Sequence, residues 1–139
     1  MIGISVLNQD YQKEWASKLL NNTLPKDSVC LGQVIDGELR AVAVFCEFQG
    51  NMCTFHLCST GSHWMSKEFL WAMFDYPFEK LGLKVILAVI AGNNEKSLRL
   101  SRKLGFKELA KIPDAIDDGG LVIFTMRPDD CRWLTLGAR

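Results

Sequence analysis

The chain has 139 residues, 48% of them hydrophobic and 23% charged, a balance that excludes general disorder and leaves room for one core. Sixteen Lys and Arg stand against 16 Asp and Glu, so neither nucleic acid nor an anionic membrane is expected as the main partner. A single domain over residues 1–139 is expected.

Residues 2–7 read as a first strand. Residues 10–20 read as a short helix, with Tyr11, Trp15 and Leu19 recurring at i, i+4 and i+8 as its apolar stripe. Residues 28–35 and 38–48 are β-rich runs joined by Asp36-Gly37, a hairpin signal because both residues tolerate positive φ. Gln49-Gly50-Asn51 turns into a third strand over 52–59, completing an antiparallel meander. Met52, Thr54, His56 and Cys58 share one face of it, and Cys53, Phe55 and Leu57 the other.

After Thr60-Gly61-Ser62-His63, the spacing of Met65, Phe69 and Met73 predicts a helix over 64–80, with Pro77 kinking or restarting it. The apolar run within 83–91 suits a central strand covered on both faces. Strand, helix and apolar strand make a βαβ unit, so 52–59 and 83–91 are expected to be parallel. A second helix follows Gly92-Asn93-Asn94 and ends at Gly105, a left-handed C-cap. Residues 106–112 and 121–126 close the chain as an antiparallel pair, and the tail holds a helical turn around 128–133. The fold class expected is a mixed α/β (α+β) sheet, mainly antiparallel, with a central parallel pair and helices on both faces.

Five cysteines, Cys30, Cys46, Cys53, Cys58 and Cys131, are odd in number and include no CxxC, so they read as buried thiols. Cys53, His56 and Cys58 are close in sequence. A strand sets Cys53 on the opposite face from the other two, and no zinc spacing is matched, so no metal is expected. Residues 1–10 carry no basic segment and no run nears ~18 apolar residues, which leads us to expect a soluble, cytoplasmic protein.

Asn94, Ser97 and Ser101 form one polar stripe on the second helix, readable as an N-cap followed by two surface serines. Together with the Ser-Arg-Lys-Leu-Gly-Phe ending at 101–106, directly after the apolar strand, this segment resembles the Gcn5-related N-acetyltransferase superfamily. The element order from 28 to 126 resembles it too. Phe-Asp-Tyr-Pro-Phe at 74–78, Cys-Arg-Trp-Leu at 131–134 and the terminal hairpin resemble small phage- and prophage-encoded members.

The resemblance implies a fold and a function. Acetyl-CoA would lie between strands 52–59 and 83–91, with Cys58 and Ser59 at the pantetheine arm. Its pyrophosphate would sit on Ser59, Thr60, Gly61, Ser62 and His63 at a helix start, where free amides and the helix dipole favour anions. The superfamily's glycine-rich loop is absent here, and only Gly61 supplies unrestricted backbone; side chains of Thr60, Ser62 and His63 would stand in for amides. Asn94 and Ser97 match positions at the pantetheine, and Ser101 stands where many members carry a tyrosine acid. His56 is the first candidate for general base and Glu47 the second. His63 is a further candidate for base or phosphate donor.

The function implied is direct transfer of acetyl to an amine of a small molecule or protein in a ternary complex, rather than through Cys58 as nucleophile. The alternative is a non-catalytic binding module on the same fold, a phage structural or host-interaction protein. Acceptor recognition would involve 8–26 and 112–120, where Asp114, Asp117 and Asp118 offer charge to a cationic amine. The sheet edge and the tail offer surfaces for a homodimer.

Overall fold

The computed structural model describes residues 2–137. Its elements are β1 (Ile2–Ser5), α1 (Gln9–Leu20), β2 (Val29–Ile35), β3 (Glu38–Gln49), β4 (Met52–Ser59), α2 (Lys67–Asp75), β5 (Val85–Ala91), α3 (Glu95–Leu104), β6 (Lys107–Ile112) and β7 (Leu121–Met126). They build one seven-stranded sheet in the order β1-β2-β3-β4-β5-β7-β6. Every neighbouring pair is antiparallel except β4 and β5, which are parallel. The expected fold class is the observed one.

Local chemistry explains most of the boundaries. Asp36 and Gly37 both adopt positive φ, 52° and 81°, and close the β2–β3 hairpin. Gly105, at φ 106°, ends α3, and its N–H donates to the Arg102 carbonyl. Helix α2 starts at Lys67, three residues later than the apolar spacing predicts, because the Ser66 hydroxyl accepts from the Phe69 N–H at 3.0 Å. Trp64 and Met65 still pack on the core from the segment before it. Where Pro77 interrupts the hydrogen-bond ladder, residues 76–80 widen into a π-helical turn with Leu81 N–H donating to the Tyr76 carbonyl.

The two sheet faces are built differently. One carries the main core, where Phe45 and Phe55 pack 5.5 Å apart between centroids and Phe74 and Phe106 6.2 Å apart, under α2 and α3. The other is thinner: Ala16 of α1 meets Cys30, Val42, Val44 and Cys58. The stripe predicted for α1 is not the buried one. Tyr11 and Leu19 are 58% and 46% exposed, Trp15 is half-buried, and the inward positions are Gln12 and Ala16.

Glutamines dock α1. Gln12, 2% exposed, donates to the carbonyls of Ser5 and Leu7 at 3.0 and 2.9 Å. Gln9 pairs with both backbone groups of Cys30, each at 2.8 Å. Gly32 makes room for this: a Cβ there would lie 2.8 Å from Gln12 Oε1. A periodicity of apolar residues cannot see a helix held by amides.

Candidate active site

Strands β4 and β5 pair only over Met52–Val85, Cys53–Ile86 and Thr54–Leu87. Beyond these residues the two diverge, although β4 stays paired to β3 as far as Ser59 and β5 to β7 as far as Ala91. The sheet therefore opens as a wedge at its middle. A cleft of about 150 Å³ occupies the opening, lined by Phe55, His56 and Leu57 of β4, residues 88–91 of β5, Asn94 just before α3, and Ser97 and Ser101 of α3.

Asn94 is the N-cap of α3: its Oδ1 accepts from the Ser97 N–H at 3.2 Å. With the oxygen committed to the cap, the amide nitrogen is what Asn94 offers a ligand. Ser101, one turn beyond Ser97, is buried at the cleft. The cleft rim is locked by backbone. Gly92 N–H donates to the Gly120 carbonyl at 2.8 Å, and a Cβ on Gly92 would run into the Gly119 carbonyl oxygen. Asn93 Nδ2 adds a bond of 3.1 Å to Asp118, so that carboxylate is already engaged.

His56 and Glu47 meet, and a third residue joins them. Glu47 sits in a bulge of β3, at φ 53°, where the register to β4 shifts between Cys46 and Gln49. Left-handed backbone at a non-glycine residue costs about 1–3 kcal/mol and needs a compensating hold. Asp27 supplies it: its carboxylate accepts the N–H groups of Glu47 and Phe48, both at 2.9 Å. These two bonds keep the Asp27 carboxyl below its usual range. Neighbouring strand residues ordinarily point to opposite faces. The bulge instead brings the Glu47 carboxylate alongside the Cys46 sulfur and His56, with the ligating atoms of all three within 4.8 Å of one another. Burial lowers the His56 pKa below its ordinary 6.5, and Glu47 offsets only part of that, so His56 is neutral at neutral pH and able to accept a proton.

The remaining candidates lie elsewhere. Cys58 points to the thin face, its sulfur 4.0 Å from the Ala16 carbonyl oxygen, and burial pushes its pKa up to about 12. Its thiol is thus protonated and turned away from the main core. Ser59, Thr60, Gly61, Ser62 and His63 do not line the cleft. The Thr60 N–H is already bonded to the Arg40 carbonyl at 2.9 Å, and three residues separate His63 from the start of α2. Sequence reasoning missed Cys46 and Asp27. Neither carries a local signal, since their roles follow from a bulge and a contact spanning 20 residues.

No protein-family model matches the sequence, and no curated protein matches it. Solved structures do. The N152L mutant of the spermidine N-acetyltransferase SpeG from Vibrio cholerae is similar with TM-score 0.74 and 13% identity, over 98% of this chain and 98% of that one. The putative acetyltransferase yncA from Salmonella typhimurium, solved with its cofactor acetyl-CoA, gives 0.70 and 16% over 91% and 94%. The Campylobacter jejuni N-acetyltransferase PseH, in complex with acetyl coenzyme A, gives 0.61 and 14% over 92% and 99%. At such identities the likeness is one of architecture, and on it the chain has the fold of the Gcn5-related N-acetyltransferases.

Proposed function

We propose that the protein is an N-acetyltransferase that moves an acetyl group from acetyl-CoA to an amine by direct transfer. The observation that carries this reading is the divergence of β4 from β5 beyond Thr54 and Leu87, with α3 starting at its mouth. Backbone groups of β4 that would have faced β5 are left for a ligand there. A slender amide-bearing chain fits such an edge by strand-like pairing. Acetyl-CoA supplies a thioester, an activated acyl group with a good leaving thiolate.

The chain's own residues do the rest. The wedge holds donor and acceptor together, which is the larger part of such catalysis. Neutral His56, at the cleft wall, takes the proton from the amine, and Glu47 beside it stabilises the resulting imidazolium. Ser101 is placed to donate toward a departing sulfur, and Asn94 Nδ2 to hold an amide carbonyl. The two neighbours solved with acetyl-CoA support the same donor here.

Calorimetric titration with acetyl-CoA tests the reading. The Asn94→Asp variant keeps the cap oxygen and loses the N–H donor. It should remain as stable as the parent and bind roughly tenfold more weakly, the equivalent of about 1.4 kcal/mol for a lost hydrogen bond. A folded parent protein that takes up no acetyl-CoA would sink the reading. It would favour the non-catalytic module, for which the occupied Thr60 amide in the expected pyrophosphate loop already speaks.

A further inference from the structure

Cys46, Glu47 and His56 have an arrangement that proton transfer alone does not require. Their side chains come from adjacent strands, β3 and β4, and they reach a common point only because of the bulge at Glu47. The Cys46 sulfur lies 3.9 Å from Glu47 Oε1. Ligand bonds of 2.3 Å to sulfur and ~2.1 Å to oxygen in a tetrahedral site set their separation at about 3.6 Å, so this pair needs only a small closure. A thiolate, an imidazole and a carboxylate are together the donor set of a borderline-soft cation, not of calcium or magnesium. A second observation points the same way. The Ser28 hydroxyl, 3% exposed, has no hydrogen-bond partner among the described residues, and Ser28 directly precedes the Val29–Phe45 pair of the β2–β3 ladder, beside Cys46.

We infer that Cys46, Glu47 and His56 form a three-ligand site for a zinc-class divalent cation, with the fourth position left to water. Glu47 is exposed and provides the entry side, while Cys46 is buried behind it. Binding forms one metal–sulfur bond, breaks the Cys46 S–H bond and releases its proton to solvent; no oxidant or reductant takes part. Asp27 is a positioning residue, since it holds the backbone that aims Glu47. One consequence rests on the acetyl-transfer reading: a bound cation engages His56 and Glu47 and so blocks the base. The site itself does not depend on that reading. It replaces the grouping of Cys53, His56 and Cys58 weighed from sequence with a different set that shares only His56.

Cobalt(II) titration of the reduced protein tests it, read by thiolate-to-cobalt charge-transfer absorption and competed with zinc. The expected result is one ion per chain, with the absorption lost in Cys46→Ser. The affinity should drop tenfold or more in His56→Gln and Glu47→Gln, and by ~10–100-fold in Asp27→Ala, which leaves all three ligands in place. No charge-transfer absorption in the parent overturns the site, as does absorption that survives in Cys46→Ser. Should Cys46→Ser fail to fold, His56→Gln decides, and unchanged affinity there overturns it. A parallel acetyl-CoA titration with chelator present reports on the transferase reading separately, so either proposal can fail alone.

Discussion

The two faces of the sheet divide the work. Under α2 and α3 lies a continuous aromatic core, whereas under α1 a few small side chains and cysteines pack beneath a helix docked through glutamine amides. His56 and the Glu47 bulge belong to the thin face, yet His56 also lines the wedge. Burial area on one side carries stability, and the other is free to hold polar and ionisable groups. The wedge draws on both faces: His56 comes to it from the thin one, and Ser97 and Ser101 come to it on α3, which packs on the aromatic one.

Three substitutions would break or sharpen that contrast. Phe74→Ala should have the largest effect, a loss of about 3–5 kcal/mol in denaturant unfolding, because Phe74 is fully buried against Phe55 and Phe106. Gln12→Ala comes next. It strips the donor from the Ser5 and Leu7 carbonyls and should cost about 1–3 kcal/mol in the same measurement. A loss as large as that of Phe74→Ala would mean the thin face is no lesser partner. Leu19→Ser should change stability by no more than about 0.5 kcal/mol, since the side chain is already half in water. A larger loss would restore the apolar stripe of α1 to the core-facing role that its spacing suggests.

Much of the architecture is readable in the sequence where local chemistry dictates it. Asp36-Gly37 requires a hairpin and Gly105 requires a helix end, and both appear where expected; the apolar run of 85–90 is a central strand, but only Ile86 and Ala88 are buried and the residues alternating with them are half-buried, so its two faces are not equally covered. Asn94, Ser97 and Ser101 share a helix face and therefore share the cleft. What escapes is decided by contacts between distant residues. The α1 periodicity points outward because Gln9 and Gln12 bond to strands and loop that no window of that helix contains. The Glu47 bulge depends on Asp27, and the late start of α2 depends on the Ser66 cap, whose hydroxyl also donates to Gln33 at 2.8 Å. Helical periodicity reports which residues are greasy; it does not report which partner is waiting for them.

The backbone lock between Gly92 and Gly119-Gly120 splits the segment between β6 and β7 into a foot and a tip. The foot, Gly119-Gly120, has two positive φ values and no space for side chains, so it tolerates neither substitution nor a change of length. The tip, residues 114–117, is exposed and outside the lock. Over evolutionary time, or in a library of variants, insertions there can reshape the ground beside the cleft while the mouth keeps its width.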